Sequence, residues 1–152
     1  MESNEKIVIS VEVIIDAPVE TVWKNWTTPK NIMLWNAASQ DWHTTLADND
    51  LRMDGIFCYK MEAKNGSAGF DFRGKYEVVQ ANEQISYVTD DGRKVKIFFT
   101  KEEYKTKVVQ LFEAENENPI ELQREGWQAI LNNFKNYVEM HLQEISFSKW
   151  KV

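Results

Sequence analysis

Two histidines, one cysteine and a scatter of carboxylates are the side chains of this 152-residue sequence that could ligate a metal or move protons. His43 follows Trp42 near a strand start. His141 stands near the end of the last expected helix, where a cation would also suit the helix dipole. They belong to different elements, with no HxH or HxxxH spacing, and Cys58 has no second cysteine beside it, so no transition-metal set is expected. Alternation along the strands turns Glu62, Asp71, Glu77 and Glu113 toward solvent; Asp71, between Phe70 and Phe72, points away from the apolar face. Asp90 and Asp91 read as turn residues and Asp41 as part of a polar loop. Neither GxSxG, GxGxxG nor a P-loop is present, so the hydrolase-elbow, dinucleotide and NTPase readings lack their usual signals, and no cofactor is expected.

Gln110 is different. If Thr106, Val108 and Phe112 face inward, Gln110 faces inward with them, a polar group among apolar ones; Val109 and Leu111 would serve the opposite phase. Glu125 and Gln128 flank Trp127 and stand either at a pocket rim or on the surface.

The elements that must position these residues follow from periodicity. Ile7, Ile9, Val11, Val13 and Ile15 alternate as a strand with one strongly apolar face. Asp16-Ala17-Pro18-Val19-Glu20 opens a short helix with Val19, Val22, Trp23 and Trp26 on one side, and Thr28-Pro29 opens a second, with Thr28 as N-cap. Residues 36–55 are turn-rich, with a short strand near Trp42 to Leu46. A meander follows: Ile56 to Ala63 with Phe57, Tyr59 and Met61 on one face, an Asn65-Gly66 hairpin, and Phe70, Phe72, Gly74, Tyr76 and Val78 on the next strand. Then come a shorter strand with Ile85 and Tyr87, an Asp91-Gly92 hairpin, a strand with Val95, Ile97 and Phe99, and a last strand from about Tyr104 to Glu113.

Asn118-Pro119-Ile120-Glu121 begins the closing helix, whose apolar residues recur at three- and four-residue spacing through about Leu142. Trp127, Ile130, Leu131 and Phe134 share one face. Gly126 sits inside this helix, and close packing of helix on sheet would explain it. The order is β-α-α-β-β-β-β-β-β-α, an α+β arrangement in which a curved antiparallel sheet needs a cover that only the last helix is long enough to supply.

With hydrophobic residues at 43% and charged residues at 28%, the chain can bury a core and a disordered class is unsuited to it. Nineteen residues are aromatic (six Trp, five Tyr, eight Phe), which serves a ring-rich core and a ligand pocket alike. The formal charge is -6 and the basic residues are scattered among acids, so nucleic acid is not an expected partner. No apolar run approaches membrane-spanning length, and the lone Cys58 suits a reducing compartment, so the cytoplasm is the expected location.

Three segments carry a resemblance. Ala17-Pro18-Val19-Glu20-Thr21-Val22-Trp23, Phe70-Asp71-Phe72-Arg73-Gly74-Lys75-Tyr76 and Gly126-Trp127-Gln128-Ala129-Ile130-Leu131-Asn132-Asn133-Phe134 resemble the first-helix, middle-strand and last-helix motifs of the START-like (SRPBCC) superfamily, in its activator of Hsp90 ATPase homologue 1-like branch. The resemblance covers about residues 5 to 143 and implies a helix-grip fold, one START-like domain over residues 1–152 and a pocket between sheet and last helix. Residues expected on that pocket are Phe57, Tyr59, Met61, Phe72, Tyr76 and Tyr87 from the middle strands and Phe99 and Gln110 from the last two. Trp127, Ile130, Leu131 and Phe134 would face them from the helix. Each ring is equally compatible with a plain core. Trp35 and Trp42, flanking the turn-rich segment, are candidates for a mobile cover. The leading expectation is non-catalytic binding of a small, largely apolar molecule. A polyketide-cyclase-type enzyme and an Hsp90-associated module are the alternatives that the resemblance supplies.

Overall fold

The computed structural model describes residues 6–150, with side chains through 142. Strand β1 (Val8–Ile15) is followed by helices α1 (Val19–Thr27) and α2 (Pro29–Trp35). Six strands follow: β2 (Trp42–Asn49), β3 (Ile56–Ala63), β4 (Gly69–Gln80), β5 (Gln84–Thr89), β6 (Lys94–Glu102) and β7 (Lys105–Glu113). Helix α3 (Ile120–Trp150) closes the chain. The seven strands form one antiparallel sheet in the order β1-β7-β6-β5-β4-β3-β2. The sheet curls around α3, and the two short helices plug one end: this is the helix-grip fold.

The inner face is built by period-two burial. In β1, Ile9, Val11, Val13 and Ile15 are buried while Val8 and Ile14 are exposed. In β7 the phase left open by the sequence is decided: Thr106, Val108, Gln110 and Phe112 face inward. The hairpins at Gly66 and Gly92 turn where both glycines take positive φ, 76° and 85°, a conformation costly for other residues.

Helix α3 reaches both the sheet and the short helices. Leu131, Phe134 and Val138 lose all exposure along its inner stripe. Its flank covers the open edge of β1, which would otherwise present unpaired backbone groups. Gln128 Nε2 donates to the Glu12 carbonyl (3.0 Å) and Lys135 Nζ to the Ile14 carbonyl (2.7 Å), while the Asp16 amide donates to Glu139 Oε2 (2.8 Å). On the other side, Asn133 Nδ2 donates to the Trp35 carbonyl at 2.7 Å.

Four sequence expectations change. Strand β2 continues to Asn49 instead of ending near Leu46. The β4–β5 register shifts between Tyr76 and Val78, so Val79, not Val78, packs against the core; the extra residue of a bulge reverses the phase beyond it. Thr28 is the N-cap residue of α2, its carbonyl accepting the Ile32 amide at 3.0 Å, but its hydroxyl makes no cap bond: it donates backward to the Lys24 carbonyl (2.7 Å) and closes α1. Helix α3 runs on to Trp150, which puts His141 inside it and removes the argument from the helix C-terminal dipole.

Gly74 marks a close approach between β4 and its neighbours. A Cβ there would lie 2.6 Å from a Phe57 ring carbon and 2.9 Å from the Val88 carbonyl oxygen. Gly74→Ala is therefore expected to destabilise the protein by about 1–3 kcal/mol through overpacking, read as a lowered midpoint in urea denaturation. An unchanged midpoint would mean that the Phe57 ring can swing away without loss.

Candidate functional site

The inner face of the sheet is not filled evenly. At the end plugged by α1 and α2 it is solid with rings. Trp26 lies 4.8 Å from Trp35 and 4.8 Å from Phe134, centroid to centroid, and Trp35 lies 4.7 Å from Phe134. Phe99 packs into the same block, 5.2 Å from Trp23 and 6.0 Å from Trp26. Toward the start of α3 the helix stands off the sheet and leaves an open cavity of about 1150 Å³.

Its wall on the sheet side carries Phe57, Tyr59 and Met61 from β3, Phe72 and Tyr76 from β4 and Tyr87 from β5, with Gln110 from β7. Trp127 and Ile130 line it from α3. Trp127 is fixed by a parallel stack on Phe112 (4.0 Å, 10°) and an edge contact with Phe72 (6.1 Å). Phe57 is the hub of the far wall, with ring neighbours Tyr59, Phe72, Tyr76 and Tyr87 at 4.7–5.7 Å.

These placements sort the expected site residues. Phe57, Tyr59, Met61, Phe72, Tyr76, Tyr87, Gln110, Trp127 and Ile130 come together on one cavity. Phe99, Leu131 and Phe134 do not: they lie in the closed ring block and the helix–sheet core, because α1 and α2 already occupy the inner face above them. Trp35 borders the cavity as part of a fixed wall, not a mobile cover. It is 3% exposed and its indole N–H donates to the Asn25 carbonyl at 2.9 Å. Trp42 sits outside, at the start of β2, 5.9 Å from the Phe70 ring.

Other wall residues were not singled out beforehand. Ile85 and Ile97 share the inward phase of Tyr87 and Phe99 and could have been found by alternation alone. Trp26 and Asn36 enter only through the packing of α1 and α2. Gly126 also borders the cavity, and a Cβ there would meet nothing within 4 Å. Close packing of helix on sheet is thus not what this glycine serves; the helix is set back from the sheet at that turn.

The polar groups of the wall are tyrosines and amides. The Tyr76 hydroxyl donates to Asn49 Oδ1, and Asn49 Nδ2 in turn donates to the Thr27 carbonyl at 2.7 Å. Burial pushes the Tyr59 and Tyr87 hydroxyls well above the ordinary phenol range and the Tyr76 hydroxyl up to about 12. All three stay protonated at neutral pH and can donate hydrogen bonds, but they are poor general bases. Charged residues lie at the mouth. Glu113 accepts the Lys94 amide (2.6 Å) and pairs with Lys6 (3.5 Å), and Arg93 pairs with Asp91 at 2.8 Å. Glu125 is exposed, and Gln128 is engaged with β1.

His43 is on β2 and His141 is exposed, its ring stacked on Tyr137 at 5.8 Å. Cys58 lies on the outer phase of β3, and burial raises its thiol above the usual value, so it is not an activated thiolate. Among the described residues, no group of three or more His, Cys, Asp or Glu is placed to hold a metal ion. No described helix is long and apolar enough to cross a membrane.

Comparison with known proteins now decides the family. The family model for Activator of Hsp90 ATPase homolog 1-like protein matches residues 16–139. The chain belongs to this family. A solution structure of an AHSA1-like protein from Aeromonas hydrophila is 47% identical with a TM-score of 0.84, over 89% of this chain and 94% of that one. A solution structure from Cytophaga hutchinsonii is 50% identical with a TM-score of 0.77, over the same shares of the two chains, 89% and 94%. At 20% identity, a crystal structure from Chromobacterium violaceum shares the fold, with a TM-score of 0.79 over 88% and 98% of the two chains. No curated protein matches.

In this member of the Activator of Hsp90 ATPase homolog 1-like family, the glycine that opens the last-helix motif has free space where a side chain would be. Gly126→Ala is accordingly expected to stabilise the fold by about 1 kcal/mol through helix propensity, seen as a raised melting temperature. A lowered melting temperature would mean that the helix sits closer to the sheet at this turn.

Proposed function

We propose that residues 1–152 form one START-like domain that binds a small, largely apolar molecule between the sheet and α3, without catalysing a reaction. The observation that carries this reading is the composition of the cavity wall. Rings from three consecutive strands and from α3 face one space, while the charged groups gather at its mouth. A flat apolar molecule entering it would gain about 25 cal/mol for each Å² of apolar surface removed from water. A polyketide-cyclase-type reaction needs an acid or base within reach of the substrate. Buried tyrosines that hold their protons to high pH suit orientation of a ligand better than proton abstraction.

A chaperone-associated role is the second reading, and the description of the matched family favours it. Stoichiometric capture of Hsp90 by the purified protein would raise it. A cytoplasmic location is proposed on the free thiol of Cys58.

Titration with flat, ring-containing apolar compounds such as 2-methylnaphthalene is expected to shift tryptophan emission, since Trp127 borders the cavity. At a ligand concentration of a hundred times Kd, the added stability is about 2.7 kcal/mol by mass action, visible as a raised melting temperature. Phe72→Ala and Tyr76→Ala should weaken binding. Gly126→Leu should weaken it while the protein remains folded, because a side chain there enters the cavity. No thermal shift across a broad set of apolar compounds would overturn the binding reading and leave an interaction module as the better account.

A further inference from the structure

Among the described residues, every buried Asn, Gln, Ser and Thr side chain but one is spent within the protein. Asn25 donates to the Thr21 carbonyl, and Asn36 and Thr44 bond each other. Ser86 accepts from Gln84, Thr89 bonds Asp91, Thr106 donates to the Ala17 carbonyl, and Gln123 is tied to Glu115. Gln110 is 5% exposed, yet its carboxamide makes no hydrogen bond to any described residue. Nor is either of its polar atoms sealed off, since no buried side-chain nitrogen or oxygen lacks a partner; the carboxamide therefore opens onto the cavity that it lines.

Its surroundings are apolar. Val108 and Phe112 flank it on β7, with Val11 and Ile97 directly opposite on the neighbouring strands. Each of these four is at most 2% exposed. A ligand that fills this space with hydrocarbon alone would strip water from the carboxamide and return nothing.

We propose that Gln110 is the polar anchor of the cavity, and that the ligand is a flat apolar molecule bearing a neutral amide or lactam edge. A carboxamide presents one acceptor beside one donor, so the complementary edge carries a donor beside an acceptor, joined by two parallel hydrogen bonds. The charge pattern selects a neutral group. The cations nearest the cavity, Arg93 and Lys6, are at the mouth and already paired with Asp91 and Glu113, so an anionic carboxylate placed at Gln110 would be buried without a counter-charge. This inference rests on the binding reading above and adds the chemistry of the ligand's polar end.

Three probes of one shape test it: 2-methylnaphthalene, 2-naphthamide and 2-naphthoate, each titrated at pH 8 against the full chain and against Gln110→Met, which keeps length and removes the polar atoms. The wild type is expected to bind 2-naphthamide about fivefold more tightly than 2-methylnaphthalene, the worth of a neutral hydrogen-bonded pair, and 2-naphthoate more weakly than either. In Gln110→Met the preference for the amide should vanish while 2-methylnaphthalene still binds. An equal preference in both proteins would place the polar edge elsewhere and overturn the proposal, as would no preference in the wild type. Failure of all three probes to bind would overturn the underlying binding reading as well. Should the variant not fold, the side-chain NH₂ resonance of Gln110 in the wild type decides: it should move downfield with 2-naphthamide and not with 2-methylnaphthalene, and an unmoved resonance with the amide bound would sink the assignment.

Discussion

The seating of the last helix at one end of the sheet governs what the rest of this protein can do. Trp26, Trp35 and Phe134 form a three-ring block between α1, α2 and α3, each pair within 5 Å centroid to centroid. Ring pairs in such arrangements contribute about 0.5–1.5 kcal/mol beyond simple burial. Polar bonds to the edge of β1 set the helix along that strand: the side chains of residues 128, 135 and 139 meet backbone groups of residues 12, 14 and 16. From residue 135 to 139 the helix advances about 6 Å, close to the advance of about 6–7 Å from residue 14 to 16. The helix is thereby clamped at the ring block and along one sheet edge, and the concave face of β3, β4 and β5 stands across the cavity from it, with Trp127 touching Phe72.

The cavity follows from that clamp. Gly126 keeps the helix free of a side chain at the turn nearest the open space, and Trp127 is held flat on Phe112 while it meets Phe72 edge-on. Phe57 gathers the rings opposite into a continuous apolar surface, while Asn49, itself tied to Thr27, satisfies the Tyr76 hydroxyl at one end. Gln110 remains as a polar point on an apolar floor. One clamped helix thus sets the volume of the site, its ring lining and its polar anchor.

Much of this was legible in the sequence, for reasons that can be named. Period-two alternation in β3 put Phe57, Tyr59 and Met61 on the inner face, because strand geometry leaves a side chain only two directions, whereas in β7 it offered two phases and the structure takes the one that turns Gln110 inward. What alternation could not say is which part of that face is filled. Phe99 and Tyr87 obey the same rule, yet Phe99 meets Trp23 and Trp26 while Tyr87 meets the cavity, a difference made by helices more than sixty residues away. The bulge near Glu77 is equally non-local, since it exists only in the pairing of β4 with β5. Gly126 shows the same limit from the other side. A helical glycine fits tight contact or open space equally well, and only the packing around it distinguishes them.

The central claim is that an apolar molecule sits between β3–β5 and the first turns of α3. Isotope-filtered NOE spectroscopy on the labelled protein with unlabelled 2-methylnaphthalene tests it most directly. The account predicts ligand contacts to the Phe72 and Tyr87 rings, the Ile130 methyl groups and the Gly126 Hα protons, all of which border the cavity. Contacts confined to exposed apolar residues such as Leu34 or Tyr104, or none at a concentration that saturates the thermal shift, would contradict it.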